Sequence, residues 1–211
     1  MNWNIVKGAC LALLPVAGTL KAQEKPNIVV ILADDLASNE ISCYGGKNLK
    51  TPNIDRIAEE GIRFTNNFAS CAMSVPIRAS LYTGLYPARH GSYQNHKISY
   101  SDIKSVTYYL PQAGYRVGRA GKTHTVPKSV FNFEKVPGFE ENCIAVTADY
   151  TVDGIRDFMR QDSPFCLFVC STLSHAPWTC GNKDEFDADK VILPPNCVDN
   201  KGTRELFRRL L

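Results

Sequence analysis

The sequence predicts an α/β fold, a mostly parallel sheet flanked by helices. Two runs carry that expectation. Asn27–Ala33 (NIVVILA) and Phe165–Leu173 (FCLFVCSTL) are continuously apolar, as strands buried on both faces of a parallel sheet read. The third observation is that such runs alternate with segments of helical spacing, the order that βα units require.

The elements follow in order. Asn53–Glu60 has helical spacing, with Ile54, Ile57 and Ala58 on one side. Ile62–Phe68 reads as a short second strand. A helix follows from Ile77 to Thr83, with Pro76 in its first turn, where a missing N–H costs nothing. Val106–Ala113 reads as a helix stopped by Gly114, and Tyr115–Ala120 as a weak strand. Thr125–Asn142 has no periodicity and is expected to be a long loop. Asp149–Arg160 is amphipathic, with Val152, Ile155, Phe158 and Met159 expected to face inward. Thr203–Leu211 begins a helix that the chain does not finish.

Composition excludes several classes. With 44% apolar and 21% charged residues the chain is globular, not disordered. A net charge of +3 is too weak to argue for nucleic acid. Asn4 and Lys7 followed by the short apolar run Gly8–Leu20 read as a signal peptide over residues 1–22, cleaved after Ala22, too short to span a bilayer comfortably. No other segment is apolar enough to cross a membrane. The mature protein is therefore expected to be periplasmic or secreted. Of its eight cysteines, seven survive loss of Cys10, and an odd number leaves at least one thiol unpaired in that oxidising context. Cys166 and Cys170 lie in an apolar run and read as core. No cysteine or histidine cluster has zinc spacing.

The chemistry converges without reference to any other protein. Asp34-Asp35 follow the first strand at once, Ser74 follows the expected strand Ile62–Phe68, Lys122 and His124 follow Tyr115–Ala120, and His175 follows Phe165–Leu173. Open parallel sheets bind ligands beyond the carboxyl ends of their strands, so four segments aim polar groups at one edge. Two adjacent carboxylates there repel unless a cation or proton neutralises them. From the pair alone, a metal site and a capping Asp beside a solvated one are equally good accounts. A lone Lys, His or helical Arg is ordinarily a surface residue.

Ser74-Val75-Pro76-Ile77-Arg78, continuing through Leu81, Thr83 and Gly84, reads S-x-P-x-R-x-x-L-x-T-G. The first five positions alone would suit a plain helix start, with Ser74 as cap. The longer match resembles the type I sulfatases, in which a Cys or Ser at the first position becomes formylglycine. Pro26–Asp35 resembles that family's opening strand, Gly121-Lys122-Thr123-His124 its G-K-x-H element, and His175-Ala176-Pro177 its His-x-Pro element. Runs around Arg78–His96, Leu110–His124 and Phe131–Phe133 look most like the N-sulfoglucosamine sulfohydrolase branch. Ile77 departs from the pattern, where a small residue is commoner.

The resemblance implies an alkaline-phosphatase-like sulfatase fold, with residues 23–211 as an incomplete N-terminal catalytic domain. It implies hydrolysis of a sulfate ester or sulfamate on sulfated glycans. Asp34, Asp35 and modified Ser74 would bind calcium, or magnesium, and Arg78, Lys122, His124 and His175 would hold the formylglycine and the sulfate. Hydrated formylglycine offers one hydroxyl to attack sulfur and a second through which the aldehyde re-forms and sulfate leaves. A serine at the first position implies a radical, serine-type maturation enzyme as partner. The family's later metal ligands and lysine find no convincing counterpart after His175, so the 211-residue chain alone is expected to be nearly inactive, with an open sheet edge. The alternatives are a non-catalytic sulfoglycan-binding remnant and a phosphoryl-transfer enzyme of the same architecture with Ser74 unmodified. His90 and Trp178 read as structural, although Trp178 could stack on a sugar.

Overall fold

In the computed structural model, which describes residues 25–142, 144 and 150–211, four strands form one parallel sheet. They are β1 (Ile28–Ala33), β2 (Arg116–Gly121), β3 (Glu134–Val136) and β4 (Phe165–Ser171), in the order β1-β4-β2-β3. The α/β class is as expected. The expected signal peptide, residues 1–22, and Cys143 lie outside the described residues. Among the described residues, no helix is long and apolar enough to cross a membrane.

β4 is central and buried along nearly its whole length, which is why it carries no polar alternation. Its side chains split by parity. Cys166, Phe168 and Cys170 face one layer, with Ala79, Tyr82, Val117, Val130 and Phe131. Phe165, Leu167 and Val169 face the other, with Ala120, Val136 and Phe158. The first layer is covered by α2 (Ser74–Thr83) and α4 (Val106–Gln112), the second by α5 (Asp153–Met159). Tyr82 of α2 is fully buried, with Phe133 and Phe168 edge-on at 4.9 and 5.1 Å, so the underside of α2 is locked to the sheet.

β1 is an edge strand. Val29 and Ile31 are in register with Leu167 and Val169 and share their face, yet both are exposed, because α5 does not reach them. The helix α1 (Pro52–Glu60) buries none of its apolar side, with Ile57 63% exposed. The last helix, α6 (Lys201–Phe207), is capped by Asn200, begins two residues before the expected Thr203 and stops at Phe207.

Three sequence expectations need correction. Ile62–Phe68 is not a strand: no partner pairs with it, and Ile62, Phe64 and Phe68 are exposed. The expected loop Thr125–Asn142 contains β3, a three-residue edge strand paired with β2 at Gly118–Ala120. Met159, expected inside, is 43% exposed, and of the named positions of that helix only Phe158 is buried. Cys166 and Cys170 are core residues, as read. Cys43, Cys71, Cys166, Cys170 and Cys197 carry unbridged thiols.

Behind α2, the short helix α3 (Pro87–His90) ends in a completely buried imidazole. His90 Nδ1 accepts from the Ser92 N–H at 3.1 Å, so the ring proton sits on Nε2 and is given to Ser80 Oγ, also at 3.1 Å. Burial pushes its pKa below the usual 6.5. A histidine neutral in the fold and free to charge when unfolded stabilises the unfolded chain as pH falls. Folding stability should therefore drop as pH falls below about 6.5, and His90→Gln should flatten that dependence in urea titrations at pH 7 and pH 5.

Gly121 closes β2 with φ of +85°, and a Cβ there would meet the Cys170 carbonyl oxygen at 2.2 Å. Gly121→Ala should cost about 2–4 kcal/mol, from left-handed strain plus backbone overlap, measured as a lowered urea midpoint with an unchanged slope.

Candidate active site

The site is built around Asp34. Its backbone N–H continues the sheet by donating to the Ser171 carbonyl at 3.0 Å, and its own carbonyl accepts from Ser174 Oγ at 2.7 Å. The first residue past β1 is thus fixed between the chain leaving β4 and the sheet. Its buried carboxylate is divided between two cations: Oδ1 accepts from Arg78 Nη2 at 2.8 Å, and Oδ2 accepts from Lys122 Nζ. Burial alone would raise the Asp34 pKa, but the hydrogen bonds and charges of Lys122 and Arg78 outweigh it and hold the group below the usual carboxylate range.

Lys122 is itself 1% exposed. It follows Gly121, the last residue of β2, whose backbone is left-handed, and its N–H still bonds the Cys170 carbonyl. Arg78 comes from the first turn and a half of α2. Its Nε donates to Ser74 Oγ at 3.2 Å, one helical turn back, while its far nitrogen reaches Asp34. Ser74 opens α2 and does not cap it; the cap position is Met73, and Ser74 Oγ turns instead toward Arg78 and toward His124 Nδ1, 3.0 Å away. The free Val75 N–H at the helix start is taken by Asn95 Oδ1 at 3.1 Å.

His124 is half-buried and its pKa is pushed down to about 4, first by burial and then by the charges of Lys122, His96 and Arg78, so the ring is neutral at pH 7. Its Nε2 and Arg78 Nη1 are buried polar atoms with no partner among the described residues. His175, reached through a turn after β4, brings Nε2 to 3.4 Å from Asp35 Oδ2 and 3.8 Å from Asp34 Oδ2. Asp35 differs from its neighbour: its side chain is 63% exposed and its backbone is left-handed, φ 59°. A cleft of about 430 Å³ opens beside Asp34, Asp35, Cys71, Met73, Ser74 and Ile77.

Every sequence-predicted site residue therefore lies in one cluster: Asp34, Asp35, Ser74, Arg78, Lys122, His124 and His175. One route to it was misread. Ser74 arrives at the start of a helix, not at the end of a strand, because Ile62–Phe68 forms none. Sequence reasoning gave no chemistry to His96, whose ring lies 5.3 Å from that of His124, and the signal that finds it, φ of +65° at a non-glycine residue, is conformational.

Asp34, Asp35 and His175 offer donor atoms all within 4.8 Å of one another, a group able to hold a metal ion. The two carboxylates suit a hard divalent cation such as calcium or magnesium, whereas the imidazole does not. Calcium takes six to eight oxygens, more than Asp34 and Asp35 alone can offer.

Comparison with known proteins agrees with this geometry. The chain is 38% identical over 161 residues to an ulvan-active sulfatase of Formosa agariphila, covering 74% of this chain and 31% of that protein. It is 34% identical over 185 residues to the human N-sulphoglucosamine sulphohydrolase, covering 82% of this chain and 36% of that one. Among solved structures, BT4656 in complex with its substrate D-glucosamine-2-N,6-O-disulfate superposes with a TM-score of 0.60 at 30% identity, over 74% of this chain and 36% of that one. The chain thus spans about a third of the length of the curated relatives it matches. Its sheet and helices have the alkaline-phosphatase-like architecture of such hydrolases. The sulfatase family model matches residues 26–191, most of the chain, and together with the strand-end cluster around Asp34 and Ser74 this places the chain in the sulfatase family.

Proposed function

We propose that this chain carries the nucleophile half of a sulfuric ester or sulfamate hydrolase acting on sulfated glycans. The observation that carries the reading is the double engagement of Ser74 Oγ, by Arg78 Nε and His124 Nδ1, beside a carboxylate already neutralised by Arg78 and Lys122. A serine used only to start a helix has no need of that surround. The names of relatives support the substrate class: one acts on N-sulphoglucosamine, and BT4656 has glucosamine disulfate as its substrate. A sulfated amino sugar, N-sulfated glucosamine first, is the substrate we propose, in a periplasmic or secreted protein matured by a serine-type radical enzyme.

A formylglycine at position 74 supplies, once hydrated, a hydroxyl nucleophile for sulfur and a second hydroxyl through which sulfate is released. The chain's own residues account for the rest. Arg78 fixes the position-74 side chain from one helical turn away. His124, neutral and bonded at Nδ1, can hold or move a proton at that oxygen. Arg78 Nη1 and His124 Nε2, buried without a partner among the described residues, could each meet a sulfate oxygen. Lys122 adds positive charge within the same buried space. His175 stands at the exposed margin beside Asp35. Asp34 and Asp35 would hold calcium, or magnesium, which would offset charge on the sulfate.

Two expected outcomes test this. Produced together with a serine-type maturation enzyme, the peptide containing Ser74 should weigh less than its encoded mass by two hydrogens and should react with a hydrazide probe. An unmodified Ser74 under those conditions overturns the reading of the nucleophile.

Calcium should raise the melting temperature of the 211-residue chain. Asp35→Asn should abolish that rise with little change in the calcium-free value, because Asp35 is exposed. Asp34→Asn should also lower the calcium-free melting temperature, through a stability loss of about 3–5 kcal/mol, because it leaves Arg78 and Lys122 buried against a neutral group. A calcium shift undiminished in Asp35→Asn rules out Asp35 as a ligand.

A further inference from the structure

Four described residues other than glycine adopt left-handed backbone: Asp35, His96, His124 and Trp178. Left-handed φ costs a side-chain-bearing residue about 1–2 kcal/mol and persists where the surroundings over-determine it. Asp35 and His124 belong to the site already described. Trp178 lies just beyond His175, its indole N–H donating to the carbonyl of Ser174, which in turn holds Asp34. His96 is the member with no assigned part.

The loop carrying His96 is tied down on both sides. Ser92 Oγ donates to the Lys97 carbonyl at 3.1 Å and contacts Ser99 Oγ at 2.8 Å, closing the loop at its base. Asn95, the residue before His96, binds the Val75 N–H at the head of α2. The loop is therefore positioned by the helix that presents Ser74. Its result is an exposed imidazole 5.3 Å from the His124 ring, with no hydrogen bond to it among the described residues. Lys122 is buried, His124 half-buried and His96 exposed. His96 is thus the solvent-side neighbour of the ring that contacts Ser74 Oγ.

We infer that His96 is a specificity residue that hydrogen-bonds the sugar portion of a sulfated glycan, at its hydroxyl or ring oxygens, and not the sulfate itself. The inference rests on the proposed sulfatase function. An imidazole suits the task because it offers one donor and one acceptor, matching a hydroxyl that needs both. Little backbone ordering is lost on contact, since hydrogen bonds already fix the loop.

The test compares two ligands on the 211-residue chain by NMR titration, inorganic sulfate and glucosamine 6-sulfate. His96→Gly removes the ring and suits the left-handed backbone, so its melting temperature should be unchanged or higher; His96→Asn keeps a hydrogen-bonding side chain in a residue that tolerates that conformation. In His96→Gly the dissociation constant for glucosamine 6-sulfate should rise at least fivefold, while that for inorganic sulfate stays within twofold, and His96→Asn should recover part of the loss. Equal weakening of both ligands, or of neither, overturns the role of His96 and leaves the function standing. A wild-type chain that binds neither ligand overturns the function and this inference together.

Discussion

A single buried carboxylate organises the site. Asp34 is bonded by Arg78 from α2 and by Lys122 from the end of β2, while its backbone is held by the end of β4. Removed from water, such a charge is costly unless it is both paired and hydrogen-bonded. Here each oxygen has its own cation. The requirement that Asp34 be satisfied therefore fixes where α2 sits, how far β2 runs before Gly121 turns it, and which way the Arg78 guanidinium points. Ser74 inherits its orientation from that guanidinium. Its surroundings are set by an interaction that it does not itself make.

Two identical residues in a row take opposite parts. Asp34 continues the sheet and is buried; Asp35 steps off it with left-handed backbone and faces solvent and His175. Period-two alternation at a strand end does this to any adjacent pair. Adjacent carboxylates at a strand end thus combine one anchored by buried cations with one open to solvent, while their oxygens stay close enough to face a common point.

Much of this was legible in the sequence because the signals were of the right kind. Continuous apolar composition marked β1 and β4, and polar residues directly after strands marked the edge where they meet. The spacing of four between Ser74 and Arg78 carried their contact. The Ile62–Phe68 segment misled because alternating apolar residues look alike whether or not a partner strand exists, and here Ile62, Phe64 and Phe68 remain exposed. β3 escaped notice for the converse reason: Glu134-Lys135-Val136 has one buried residue and owes its strand conformation to pairing with β2, not to composition. His96 was invisible because its distinction lies in a dihedral angle and a neighbouring ring, neither of which residue type encodes.

The hydrogen bonds that build the cluster link residues far apart along the chain: 44 positions from Asp34 to Arg78, 50 from Ser74 to His124, 88 from Asp34 to Lys122 and 140 from Asp34 to Ser174. Loops of that length close late, because their entropy is lost before the contacts return it. None of these contacts can form in a locally folded helix or hairpin. They need β1, β4 and β2 in register, so the Asp34 ion pairs report on topology as a whole. A probe of the Lys122 ammonium or the His124 ring then reads out the completion of the sheet more faithfully than any measure of helix content.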